Sequence, residues 1–433
     1  MREPDKPNQV DRKKIATKTQ QQPEVYAIKK SAGGWRLSRR SWLGAAATAA
    51  AASSGGVQAA DCPTGARSNV NSVSAMAFAP DASVLFTGSF DWTVKLWSVP
   101  NGALLRTLRV ESAPVLTLAL KPDGRMLVSG SSDDKSIRLW SLPDGALLST
   151  LTGHSGAVNA VAVTPDGKML VSGSDDKTIK FWSLPDGFPL KTVVSDQGSV
   201  RAAVVTPDGK MLATGDGGNT ITLWSLPEGA MLKTLAGHSS SVWAIAVSPD
   251  GRLLASGSLD KTVKLWSLPD GTLLKDLTGH GDWVTAVAIS PDGRLLASGG
   301  GLWGGSDDNS IRLWSLPDGR LLRTLFGHSH RVSALAISPD GEFLASGSWD
   351  KTTLLWSLPE GIRLPVCFMD PVASSSDTQT SVYTKEGTTY IVPCGTPLPP
   401  GAVCTCNCVT GTGCSCVSYS SGGGGGGHYW YPN

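Results

Sequence analysis

The chain has 433 residues, 40% of them hydrophobic and only 17% charged, with 50 glycines and 27 prolines. That hydrophobic share supports a real core, and the wealth of turn-forming residues favours many short strands over long helices. A net charge of +2 is too small to point to nucleic acid as the main partner, and no apolar run is long enough for a transmembrane helix.

Charge and cysteine are unevenly placed. Residues 1–42 hold eleven Lys/Arg against four acids, a surplus of +7 that leaves −5 for the rest. Of the eight cysteines, Cys62 stands alone near the start and the other seven lie at Cys367 and beyond. Residues 1–37 are polar and read on their own as a disordered basic arm. Ser38-Arg39-Arg40-Ser41-Trp42-Leu43 is followed by a weakly apolar stretch, Gly44 to Ala52, and then by Val57-Gln58-Ala59, a small-residue site suited to cleavage. This order resembles a twin-arginine export signal, with Arg39 and Arg40 as the signal pair. The resemblance implies that residues 1–60 direct a folded protein out of a bacterial-type cytoplasm, to the periplasm or the exterior. Without such a signal the chain would be cytoplasmic.

Beyond residue 60 the sequence repeats. A Trp-Ser pair recurs at Trp97, Trp140, Trp182, Trp224, Trp266, Trp314 and Trp356, at spacings of 43, 42, 42, 42, 48 and 42 residues. Six pairs run on into Leu-Pro-Asp-Gly or Leu-Pro-Glu-Gly, and the first into Val99-Pro100-Asn101-Gly102. In the fifth unit, Val242 to Val247 predicts a strand and Ser248-Pro249-Asp250-Gly251 a turn. Leu253 to Ser258, Thr262 to Trp266 and Thr272 to Leu277 predict three more strands, joined by Leu259-Asp260-Lys261 and Pro269-Asp270-Gly271. Four short antiparallel strands per unit make one propeller blade.

Period, strand order and the Gly-His starts (Gly153-His154, Gly237-His238, Gly279-His280, Gly327-His328) resemble the WD40 family. The resemblance covers residues 61–368 and implies an all-β, seven-bladed propeller. It also implies a structural tetrad of His, Ser, Asp and Trp in each blade. Blade three supplies His154, Ser172, Asp176 and Trp182, and blade five His238, Ser256, Asp260 and Trp266. Blade six supplies His280, Ser298, Asp308 and Trp314, and blade seven His328, Ser346, Asp350 and Trp356. Blades one, two and four depart, with Asn69, Glu111 and Asp196 at the histidine position and Gly218 at the Asp position of blade four. Blade four is therefore expected to be the least rigid, and blades five to seven the firmest. Ile362 to Cys367 is predicted as the last blade's fourth strand. Cys62 lies where the ring must close, so a Cys62–Cys367 disulfide clasp is an expectation, with two free thiols as the open alternative.

His, Ser and Asp together have a triad's composition. Here the set recurs at blade spacing, whereas an enzyme needs one site, so the reading is a binding protein with neither catalysis nor cofactor. A hydrolase or lyase working in the central channel would need a one-off cluster of His, Asp, Glu or Arg, which the repeats do not supply. The Pro-Asp-Gly turns make one rim monotonous, and variation concentrates on the other, where family partners commonly dock. Its aromatic, apolar and cationic residues are Trp243, Trp283, Trp349, Phe90, Leu259, Arg201 and Arg331, joined by Trp303 on the inserted Gly300-Gly301-Leu302-Trp303-Gly304-Gly305. Trp and Arg dominate binding hot spots, so a protein or peptide partner is expected on this top face. Packing between blades is the competing explanation.

Residues 369–433 form a Ser/Gly/Cys-rich tail. Ser381 to Thr384 and Thr388 to Val392 predict a strand pair. Cys404, Cys406, Cys408, Cys414 and Cys416 lack the usual C-x2-C spacing and are weak candidates for a soft metal. Disulfides, covalent modification and surface attachment remain open for them. The Gly422 to Gly427 tract and His428-Tyr429-Trp430-Tyr431 end the chain.

Overall fold

The computed structural model describes residues 27–31, 34–38, 67–110, 113–302, 308–370, 380–385, 388–393 and 403–406, with side chains in 67–110, 113–302 and 308–370. The chain divides into two units, Met1–Asp61 and Cys62–Asn433. In the first, Ala27–Ser31 pairs with Gly34–Ser38 as an antiparallel hairpin. Ile28 and Trp35 suit strands. Arg39 and Arg40 lie outside the described residues.

The second unit holds seven four-stranded antiparallel sheets. Each is built from four consecutive strands, so no strand is exchanged between the two ends of the ring. Blade five comprises Val242–Val247, Leu253–Ser258, Val263–Ser267 and Leu273–Leu277. Its first turn closes through Gly251 N–H donating to the Ser248 carbonyl at 2.9 Å. The Asp250 carboxylate accepts from the Ser248 hydroxyl at 2.5 Å and from Arg252 N–H at 3.1 Å. Gly251 sits at φ +69°, a conformation that costs glycine nothing. The proline of each third-to-fourth-strand turn follows a cis peptide bond, from Val99-Pro100 to Leu358-Pro359. Among the described residues there is no helix, and so none long and apolar enough to cross a membrane.

First strands of successive blades touch all the way round, including Val332–Ile337 of blade seven against Val73–Phe78 of blade one. A glycine in each second strand permits this approach. A Cβ on Gly257 would lie 2.7 Å from Val284 Cγ1 of the next blade, and one on Gly347 only 2.5 Å from Val73 Cγ1 across the closure. The core sits between blades, each terminal Trp packing on the blade before it. Trp266 and Leu254 of blade five, for example, pack against Ile221, Leu223 and Leu235 of blade four. Burying an indole removes about 150–250 Å² from water, worth roughly 4–6 kcal/mol before entropy is counted.

The seam departs from expectation. The last blade's fourth strand is only Ile362–Arg363, not Ile362 to Cys367. The chain leaves the sheet there because Leu364, Val366 and Phe368 join the core between blades seven and one. Phe368 meets Trp97 edge-on at 5.7 Å. Asp370 N–H donates to the Arg67 carbonyl at 3.0 Å, and its carboxylate stands 3.1 Å from Lys95 Nζ. Lys95 is 1% exposed and also donates to Asn69 Oδ1 at 2.7 Å and Asp91 Oδ2 at 2.8 Å. Blade one thus replaces the histidine link with a buried lysine that reaches both ends of the ring. Cys367 is disulfide-bonded, and its partner lies outside the described residues, as Cys62 does.

In the tail, Thr380–Lys385 pairs with Thr388–Pro393, matching the expected pair, and also with Val403–Cys406. The side chains of Cys404 and Cys406, and all of Cys408, Cys414 and Cys416, lie outside the described residues.

Candidate functional site

Four blades carry complete tetrads. In blade five, Trp266 Nε1–H donates to Ser256 Oγ at 2.8 Å, and Ser256 Oγ lies 2.7 Å from His238 Nε2. His238 Nδ1 lies 2.7 Å from Asp260 Oδ2. The corresponding three distances are 2.9, 2.8 and 2.9 Å in blade three (Trp182, Ser172, His154, Asp176). They are 2.9, 2.8 and 2.9 Å again in blade seven (Trp356, Ser346, His328, Asp350). In blade six, Trp314 and His280 keep their bonds to Ser298 at 2.8 Å, but His280 Nδ1 is 3.4 Å from Asp308, which Arg312 also approaches.

The proton positions follow from chemistry. Burial lowers the pKa of His154 and His280 against the pull of Asp176 and Asp308, so these rings are neutral at neutral pH. Burial pushes the tetrad carboxyls up, but the hydrogen bonds they accept outweigh it. Asp176, Asp260 and Asp308 are held well below the ordinary carboxylate range and Asp350 at about 2. An ionised carboxylate only accepts, so Nδ1 carries the proton, Nε2 accepts from serine, and serine accepts from tryptophan. Every serine is thereby used twice and sealed from solvent: Ser172, Ser256, Ser298 and Ser346 are all fully buried. These groups lock each blade internally and offer no nucleophile.

This bonding sets the acid response. Folded His154 and His280 bind protons less readily than unfolded ones, so stability is expected to fall as pH drops through the ordinary histidine value of 6.5. A second loss follows below the ordinary carboxylate value of 3.8, as the unfolded chain takes up protons that the four aspartates resist. Asp216, raised by burial, works in the opposite sense. Urea midpoints at about pH 8, 5 and 3 measure both steps, and a flat midpoint between the first two contradicts neutral histidines.

Blade four is rebuilt. Asp196, at the histidine position, is exposed. Gly218 cannot be an aspartate here, since a Cβ would lie 2.1 Å from the Gln197 carbonyl oxygen. Asp216, fully buried, takes over the loop instead, accepting from Gly218 N–H at 3.0 Å, Thr220 N–H at 3.2 Å and Thr220 Oγ1 at 2.8 Å. Trp224 keeps its bond to a hydroxyl, Thr214 Oγ1, at 2.9 Å. The signal for this substitution is in the sequence: Asp216 stands in a column otherwise filled by Ser or Gly, from Ser89 to Ser348.

On the variable rim the structure brings together five of the eight expected residues. Trp243 lies between two guanidinium groups, 5.4 Å from Arg201 and 4.9 Å from Arg331. Arg331 also lies 5.2 Å from the Trp349 ring, which meets Phe90 edge-on at 5.8 Å. His330, not anticipated from sequence, stacks on Trp349 at 6.0 Å. Thr285 ties the row to blade six: its hydroxyl accepts from Arg331 Nε at 3.3 Å. Arg201 pairs with Asp175 at 2.8 Å, and Asn159 donates to the same carboxylate oxygen at 2.8 Å. The row thus alternates Arg, Trp, Arg and Trp and runs from blade three round to blade one.

These rim residues do not stand out from the surface as an exposed cluster. Trp243, Trp283, Trp349, Phe90 and Leu259 are half-buried, Trp243 and Trp349 against guanidiniums and Phe90 against Trp349. Arg331 is buried, and loss of water brings its pKa down to about 10, still charged at neutral pH. Trp283 and Leu259 stand beside the row rather than in it. Trp303 lies outside the described residues. The exposed rim aromatic is Trp92, at 47% exposure and φ 66°, in a column of lysines and asparagines that sequence reasoning passed over. Among the described residues no group of His, Cys, Asp and Glu is placed to hold a metal ion.

A family model described as "WD domain, G-beta repeat" matches residues 63–98, 102–141, 145–183, 187–225, 229–267, 271–315 and 319–357. The chain is 43% identical over 63 residues to Periodic tryptophan protein 2 homolog of Neurospora crassa, covering 14% of this chain and 7% of that protein. It is 31% identical over 67 residues to Pre-mRNA-processing factor 19 of Bos taurus and of Mus musculus, covering 16% of this chain and 13% of each relative. The chain therefore spans a small fraction of the length of these curated relatives. Seven matched repeats, each ending on the Trp-Ser pair of a blade, and seven four-stranded sheets make this chain a member of the WD40 family.

Proposed function

We propose that the propeller is a non-catalytic scaffold that captures a protein or peptide on its top face, over the row formed by Arg201, Trp243, Arg331 and Trp349. The carrying observation is that two cations are held on indole faces at one rim while the other rim repeats the same turn. Preorganised Arg and Trp lose little side-chain freedom on binding, and they offer aromatic faces together with donors for carboxylates and backbone carbonyls. Phe90 and Trp92 extend the surface onto blade one. A double variant, Trp243→Ala with Trp349→Ala, is expected to weaken partner capture by about tenfold or more. The check is a pull-down with the purified propeller, the bound protein being identified by mass spectrometry and its affinity then measured. Unchanged affinity in the double variant overturns the reading.

The scaffold works outside the cytoplasm in this reading. Arg39-Arg40 with the small-residue site at Val57-Gln58-Ala59 supports export, and the disulfide at Cys367 fits an oxidising compartment.

A further inference from the structure

Blade four contains a cavity of about 190 Å³ on the flank of the ring, where the linker from blade three crosses it. Comparison of blades shows what is missing. In blade three this place holds Lys180: its stem lies beside Trp182 under the linker, a Cβ on Gly153 falling 3.9 Å from Lys180 Cε, and its Nζ donates to Thr192 at 3.0 Å. In blade five it holds Lys264, 5% exposed, paired with Asp276. In blade four it holds Thr222, too short to fill the space.

The walls are matched to the absent group. Val193, Trp224 and Met231 supply an apolar sleeve. Ser195 and Thr222 also line the cavity, each is 1% exposed, and neither hydroxyl has a hydrogen-bond partner. Two buried orphan hydroxyls on residues of one cavity are costly unless something satisfies them. Asp196, at the histidine position, lines the same cavity and is exposed.

We propose that this cavity binds a primary alkylammonium, the side chain of a lysine on a peptide partner, inserted where blades three and five use their own lysine. The four-carbon stem fits the sleeve, since a cavity of ~150 Å³ already holds benzene. The ammonium's three donors meet two hydroxyls and one carboxylate, with the Trp224 ring adding cation–π attraction. A planar guanidinium is larger and needs a fork of acceptors, which selects lysine over arginine.

The test is titration of the full chain with n-butylammonium, followed by NMR, with 1-butanol as the neutral isostere. Saturable binding is expected, about tenfold weaker for 1-butanol and for Asp196→Asn. Thr222→Lys fills the cavity from within and should abolish binding while the unfolding midpoint holds or rises. Trp243→Ala, on the top face, should leave the titration unchanged. The proposal is overturned by an absence of saturable shifts, by equal binding of 1-butanol, or by retained binding in Thr222→Lys. Should Thr222→Lys not fold, the butanol and Asp196→Asn arms still decide.

Discussion

Asp260→Ala is expected to destabilise the propeller by about 3 kcal/mol, whereas Asp196→Ala should change stability by no more than about 0.5 kcal/mol. Both are aspartates at tetrad columns, and the difference lies in what each holds. Asp260 accepts from His238 Nδ1, from Ser239 N–H at 3.0 Å, and from Thr262 through both N–H and hydroxyl, at 3.0 and 2.7 Å. Removing it strands several donors, some of them buried, at about 1–3 kcal/mol for each that water cannot reach. Asp196 is exposed and accepts no hydrogen bond among the described residues. Urea unfolding of the two variants against the parent measures the contrast. Equal losses would show that blade four uses its histidine column structurally after all, and would remove the case for a rebuilt blade.

The second large effect belongs to the seam. Phe368→Ala should cost about 3–5 kcal/mol, the usual loss for a buried aromatic truncated in a packed core. Phe368 is 3% exposed and fills the space between Trp97, Phe343 and Leu355, so the cavity left opens directly onto the blade one–blade seven contact. Because no strand crosses that contact, the 364–370 segment bridges it by packing, by the Asp370–Arg67 hydrogen bond and by the Asp370–Lys95 ion pair. Reduction of the Cys367 disulfide in the same variant is expected to lower stability further, since each restrains the segment separately. A loss below about 1 kcal/mol for Phe368→Ala, read from the denaturant midpoint at constant slope, would mean the segment rests on the ring without closing it.

The blade plan was legible because each unit repeats the same physics. Trp-Ser, Pro-Asp-Gly and Ser-Gly-Ser mark indole anchor, turn and close-packed strand in turn, and repetition multiplies a signal that one unit would leave weak. What escaped was whatever happens once. The Phe368 segment belongs to no repeat, and its apolar alternation reads as a strand until the neighbouring blade competes for it. Lys95 looks like any surface lysine of a third strand, and only the combination of Asn69, Asp91 and the distant Asp370 buries it. Asp216 repairs blade four from two residues upstream of the vacant column. On the rim the sequence shows residue types but not how far each is exposed. Whether Trp243 faces solvent depends on Arg201 and Arg331 reaching it from two other blades, which no single column reveals.

The propeller's first and last described residues meet: Arg67 receives a hydrogen bond from Asp370. Ring order is thus independent of where the polypeptide is cut, and the seven blades are topologically equivalent sites for a break. A linker joining residues 67 and 370, with new termini at the Pro269-Asp270-Gly271 turn, would yield the same ring by circular permutation. The natural opening is set apart from the other six boundaries by the buried Lys95–Asp370 pair and by Phe368, so among the described residues the place where the chain starts and stops its circuit is the boundary fastened by side chains rather than by backbone continuity.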